Sequence, residues 1–116
     1  MKLIIILALS GILTVSDSGK NFIKEQEGLR LIAYKCLAGQ NTIGYGHTNT
    51  NLTKITQAQA DSLFNIDIKN IEKELVKYNF NQNQFDAIAS FIYNVGIGNF
   101  RRSTFSRTLD IKELNK

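Results

Sequence analysis

The sequence contains no proline, one cysteine (Cys36) and one histidine (His47) in 116 residues. A single cysteine cannot close an internal disulfide or build a multi-cysteine metal site, so neither device holds the fold together, and the redox compartment stays open. His47 has no second histidine, cysteine pair or spaced carboxylate cluster to accompany it, which argues against a metal centre. We therefore expect no metal and no cofactor. Without proline, element boundaries must be read from glycines and helix caps. No low-complexity tract and no repeat with a period of about 20–50 residues is present, which excludes solenoids and arrays. The length leaves room for one domain and excludes a large multi-layer enzyme.

Long hydrophobic runs are also scarce. Leu3 to Ser16 carries no charge, but its fourteen residues fall short of the roughly 20 that a spanning helix needs. Met1–Ser16 fits the h-region of a secretion signal, with Thr14 and Ser16 as small residues before a cleavage point; an uncleaved weak anchor and a buried helix are the other readings. Residues 17–116 would then be the folded domain. Export to the periplasm or cell wall, or release from a host cytoplasm, would fit a transient membrane contact through residues 1–16. Fourteen Lys and Arg against ten Asp and Glu give a formal charge of +4, which favours an anionic partner such as nucleic acid, an anionic membrane or bacterial cell wall. The basic residues are scattered and no nucleic-acid motif is present, so a nucleic-acid partner is not expected. Gly44 and Gly46 match neither glycine pattern of a nucleotide loop and fit a close backbone approach or a bulge.

What is present reads as helices around a small sheet. Ser16 or Ser18 can cap a short helix that stops at Gly28, with Phe22 and Ile23 facing the core. LIAYKC and TIGYGHT read as two strands joined through the turn-rich LAGQN. Thr56 and Gln59 form a capping box that opens a long helix to about Tyr78. Asn81 can cap a further helix, NQFDAIASFIYNV, whose apolar residues from Phe85 to Val95 run nearly all round it and suggest burial before Gly96 ends it. Two short helical pieces follow, capped by Ser103 and Asp110. The fold class is α+β, a small antiparallel sheet plus helices.

Chemistry concentrates between Phe22 and Thr48. Glu27 stands at a helix end before Gly28, Cys36 comes nine residues later after a strand, Thr42 six further on, and Ile43-Gly44-Tyr45-Gly46-His47 follows. This pattern resembles the phage-type lysozymes of glycoside hydrolase family 24. Leu63-Phe64-Asn65-Ile66-Asp67 is similar to that family's long-helix segment, and Phe91-Ile92-Tyr93-Asn94-Val95-Gly96, then Asn99-Phe100 and Ser103, to its core helix. The resemblance covers about Gly19 to Leu109. It implies a lysozyme-like fold and hydrolysis of the β-1,4 bond between N-acetylmuramic acid and N-acetylglucosamine in peptidoglycan, in a monomer, for bacterial cell-wall lysis. The family's chains continue in further helices beyond the point matching Lys116, so a shortened C-terminal helical lobe is expected.

Glycoside hydrolysis needs a protonated carboxylic acid beside the leaving oxygen and a second group across the sugar. Glu27 can be that acid if a groove desolvates it; Glu25 reads as an ordinary solvated glutamate. By resemblance, Cys36 stands where the family has Asp or Cys, and Thr42 binds the attacking water, which implies inversion. A neutral thiol is a poor base unless a neighbour stabilises the thiolate, and a lone cysteine also fits a small buried hydrophobe. The resemblance further pairs His47 with Asp67 structurally and sets Thr48, Tyr93 and Ser103 against the glycan, although Tyr93 equally fits a core aromatic with its hydroxyl satisfied. A non-catalytic wall-binding remnant of the same fold is the alternative, and a lytic transglycosylase, which uses one Glu and no water, fits the threonine less well.

Overall fold

The computed structural model describes residues 12–114; residues 1–11, which hold most of the apolar run, lie outside the described residues. Helix α1 (Asp17–Glu27) leads into a meander of β1 (Arg30–Lys35), β2 (Asn41–Gly44) and β3 (His47–Thr48). Helices α2 (Gln57–Leu75), α3 (Gln82–Val95), α4 (Ile97–Arg102) and α5 (Thr104–Leu114) complete the chain. The sheet is antiparallel with order β1-β2-β3. The α+β class is therefore correct.

Local signals set most helix ends. The Ser16 hydroxyl accepts from Gly19 N–H at 3.1 Å, and Gly28, at φ +71, turns the chain out of α1 into the sheet. Thr56 with Gln59, and Asn81 with Gln84, form reciprocal capping boxes that satisfy the first free N–H groups of α2 and α3. Gly96 ends α3 and opens α4, while the Ser103 hydroxyl accepts from Ser106 N–H at 3.1 Å and so caps α5. Helix α2 stops at Leu75, short of Tyr78.

Four expectations need correcting. Ile23 is buried, but Phe22 beside it is 52% exposed, because adjacent helical positions point about 100° apart and the core meets only one. The apolar face of α3 is narrower than expected: Phe85, Ala89 and Ile92 are buried, whereas Phe91 is exposed. Asp110 caps nothing; it lies inside α5, accepts from the Tyr78 hydroxyl and pairs with Lys77 at 3.3 Å. The run read as one strand, Thr42–Thr48, is two short strands joined at Tyr45-Gly46.

The main core gathers Ile23 of α1, Phe64, Ile68, Ile71 and Leu75 of α2, Phe85, Ala89 and Ile92 of α3, and Phe100 of α4. A smaller cluster of Ile43, Ile55 and Ala60 fixes the sheet on α2, and Tyr45 packs against both. The outer edge of β1 is covered by the following loop, where Ala33 N–H donates to Thr53 O and Ile55 N–H to Leu31 O, each at 2.9 Å.

The chain enters α1 through a strap across two other helices. Val15 is 3% exposed within the core. Its N–H donates to Glu72 Oε2 at 2.8 Å, Ser16 N–H donates to Asp86 Oδ1 at 3.0 Å, and the Gln82 amide donates to the Thr14 carbonyl at 2.9 Å. Gly19 has to be glycine for this: a Cβ there would lie 2.8 Å from Asp86 Cγ. Residues 12–16 thus pack with the domain.

Candidate active site

Glu27 is the last residue of α1, and its carboxyl lies over the turn between β2 and β3. Gly46 in that turn has φ +75, and a Cβ on it would come within 2.5 Å of Glu27 Oε2. The site thus needs a glycine twice, for the backbone conformation and for the room the carboxyl occupies. Of this glycine pair, Gly46 makes its close approach to Glu27, while Gly44 faces Ile55 and Ala60. Burial raises the Glu27 carboxyl above the usual carboxylate range, because packing removes water that would otherwise solvate its charged form.

One hollow adjoins the carboxyl and another adjoins Gly46. A cavity of about 190 Å³ beside Gly46 is bounded by His47, Thr48, Asp67 and Tyr93. Phe22, Gln26, Phe91 and Asn94 border the hollow that Glu27 itself lines. His47 Nδ1 lies 2.8 Å from Asp67 Oδ2, which ties β3 to α2. The pair walls the cavity as well as bracing it. Tyr93 reaches the cavity with its ring, while its hydroxyl donates to the Tyr45 carbonyl. Burial first, then the negative charges of Asp67 and Glu27, push the Tyr93 phenol up.

Cys36 and Thr42 meet at the mouth of the β1–β2 hairpin. Cys36 N–H donates to the Gln40 carbonyl at 3.0 Å, and the Thr42 hydroxyl donates to that same carbonyl at 3.1 Å. Thr42 is 2% exposed and Cys36 half-buried. The Gln40 backbone, opposed by partial burial and aided by the Ala38 backbone and the Thr42 hydroxyl, holds the Cys36 thiol below the usual thiol range. The Thr42 proton can serve the carbonyl or the thiolate, but not both at once. Gly44, two residues along β2 from Thr42, is in register with Arg30 just after Glu27, and Thr42 is in register with Thr48. Strand rise puts Thr42 roughly 7 Å along β2 from Gly44.

Ser103 does not join them. Its hydroxyl donates to the Phe100 carbonyl at 2.6 Å and accepts from Ser106 N–H, which commits it to the α4–α5 junction. Sequence reasoning passed over Lys24, whose ammonium lies 3.7 Å from Asp61 and about 5 Å from the Tyr45 and Phe64 ring centres. It anchors the last turn of α1, and so Glu27, to α2 and the sheet. Nothing local in the sequence marks it. Among the described residues no group of three or more His, Cys, Asp and Glu side chains could hold a metal ion.

The phage lysozyme family model matches residues 24–116. The chain belongs to the phage lysozyme family. It is 43% identical over 102 residues to the endolysin of Acyrthosiphon pisum secondary endosymbiont phage 1, covering 84% of this chain and 70% of that one. It is 41% identical over 105 residues to the endolysin of Bacillus phage PZA, spanning 83% of this chain and 40% of that relative. Among solved structures, the muramidase domain of SpmX from Asticaccaulis excentricus superposes with a TM-score of 0.68 at 36% identity, covering 88% of this chain and 73% of that one. Membership of the phage lysozyme family makes lysozyme action on peptidoglycan the class of activity of this fold.

Within that family fold, Gly46→Ala is a sharp probe of the site. The left-handed backbone costs an L residue roughly 1–2 kcal/mol, and the new methyl displaces Glu27 Oε2. Activity should fall on the order of 10²-fold, the scale set by about 1 Å of misplacement, beside a drop in melting temperature on the order of 5–15 °C from the backbone strain. Wild-type lysis by Gly46→Ala would mean that the Glu27–Gly46 contact has no part in the reaction.

Proposed function

We propose that this domain hydrolyses the β-1,4 bond between N-acetylmuramic acid and N-acetylglucosamine with inversion, as a monomer and without a cofactor. Glu27 delivers the proton to the leaving oxygen, and Thr42 with Cys36 holds the attacking water. The observation that carries this reading is the desolvated Glu27 carboxyl, which lines one hollow and packs beside Gly46 at the edge of another, a setting in which a carboxylic acid keeps its proton closer to neutrality. Inversion follows from Thr42 acting as the holder of the attacking water on the face opposite the acid, since a water attacking from that face displaces the leaving group directly. Cys36, more exposed than Thr42, is the group such a water meets first. Thr48 and the Tyr93 ring line the sugar cleft, with His47 and Asp67 bracing its wall.

The test is turnover of purified peptidoglycan with analysis of the products. Hydrolysis leaves reducing N-acetylmuramic acid ends, and inversion gives the α anomer first. Anhydro ends would instead mean transglycosylation, and binding without turnover would mean a wall-binding module.

Cys36 has its own test. Cys36→Asp should retain lysis, because a carboxylate accepts the same hydrogen bonds, and Cys36→Ala should lose less activity than loss of the Glu27 acid. A small alkylating reagent should modify the half-exposed thiol in the folded protein and lower activity as the adduct fills the hairpin mouth. Complete alkylation with unimpaired lysis would place Cys36 outside the reaction.

A further inference from the structure

We infer that Tyr93 is a positioning residue: its hydroxyl, by holding the Tyr45 carbonyl, sets the Tyr45–Gly46 peptide against the Glu27 carboxyl and limits water on that side. This rests on Glu27 being the acid. The Tyr45 carbonyl and the Gly46 N–H belong to one planar peptide unit, so fixing the oxygen helps to fix Gly46, beside which the Glu27 carboxyl lies. That link lies between the end of β2 and the start of β3, outside the strands, and its orientation falls to side chains.

The side chains are placed for it. The Tyr93 ring packs on Phe64 with centroids 5.6 Å apart, and Phe64 meets Tyr45 edge-on at the same 5.6 Å. The phenol therefore closes a ring of contacts running α3, α2, turn and back to α3. Phenylalanine would keep the packing and lose the bond, the freed carbonyl would turn to water, and the turn beneath Glu27 would loosen and let water from the hollow that Glu27 lines reach the carboxyl. The charged and titratable groups around Glu27 are Tyr93 from α3, His47 with Asp67 across the cavity, and Lys24 on α1, directed to Asp61.

The experiment follows the Glu27 carboxyl by carbon NMR through a pH titration of wild type and Tyr93→Phe, beside the pH profile of lysis. In Tyr93→Phe the Glu27 midpoint should fall towards the ordinary carboxylate range, and the alkaline limb of activity should move down with it. Turnover at neutral pH should fall roughly tenfold with KM nearly unchanged, as expected when less of the acid is protonated. An unchanged midpoint in a folded variant overturns the inference, as does a raised KM with an unchanged midpoint, which would put the hydroxyl on the sugar. If Tyr93→Phe does not fold, the wild type decides: the Gly46 amide resonance should titrate with Glu27, and a flat Gly46 signal overturns the inference. Should Glu27→Gln retain lysis, the acid assignment fails while the midpoint shift in Tyr93→Phe can still be seen, so the two failures are distinct.

Discussion

Glu27→Gln should reduce peptidoglycan turnover by roughly 10²–10⁴-fold, the usual worth of general acid catalysis, while the protein stays folded. The amide fills the same space over Gly46 and cannot release a proton. Stability should move the other way. Burial raises the folded-state pKa of Glu27, so the glutamate's contribution is fully present below its unfolded pKa and is lost as pH rises through the raised folded one. Glutamine has no charge to desolvate and escapes that loss. Its melting temperature relative to wild type should therefore climb from pH 4 to pH 7, where the inactive variant should be at least as stable as the active protein. Retention of more than about a tenth of wild-type activity would remove Glu27 from the acid role.

Phe64→Ala should give the largest loss of stability. Phe64 is 1% exposed, touches Tyr45 and Tyr93 edge and face, and carries the Lys24 ammonium 4.9 Å from its ring centre. Truncating a buried phenylalanine costs about 3–5 kcal/mol, against a total of about 5–15 kcal/mol for a domain. The melting temperature should drop on the order of 15–30 °C. Activity should fall even where the protein remains folded, because Phe64 braces both the Tyr45 turn and the last turn of α1. Ile66→Ala on the same helix, at a position 53% exposed, is the control and should change the melting temperature little. A small shift for Phe64→Ala would mean that the core collapses around the lost ring and that Phe64 is not the point where the elements meet.

Features decided within one helical turn were legible in the sequence. The capping boxes at Thr56 and Asn81, the cap at Ser103 and the stops at Gly28 and Gly96 all depend on residues three or four apart. Features that depend on a distant partner were not. Whether Phe22 or Ile23 turned inward depended on where α2 and α3 would lie, and Asp110 looked like a cap because its partner Tyr78 is thirty-two residues away. The break between β2 and β3 was half visible: the glycine at position 46 showed that something came close, and only the fold identified it as Glu27. Of the candidate site, the spacing of Glu27, Cys36 and Thr42 along the chain was readable. Which group the Tyr93 hydroxyl serves was not, since its acceptor, the Tyr45 carbonyl, is brought to it by another element forty-eight residues away.

The strap at Thr14–Ser16 imposes an order of events on any leader processing. A leader peptidase needs an extended, unpaired backbone, and in the folded chain this stretch has its carbonyl and N–H groups engaged by Gln82, Glu72 and Asp86. Cleavage after Ser16 would therefore have to outrun folding. The product would lack the Val15 side chain that fills the core and the Ser16 hydroxyl that caps the helix bearing Glu27. A cut ahead of Leu13 would keep both, so competition between protease and folding would select among products by whether Glu27's helix retains its start.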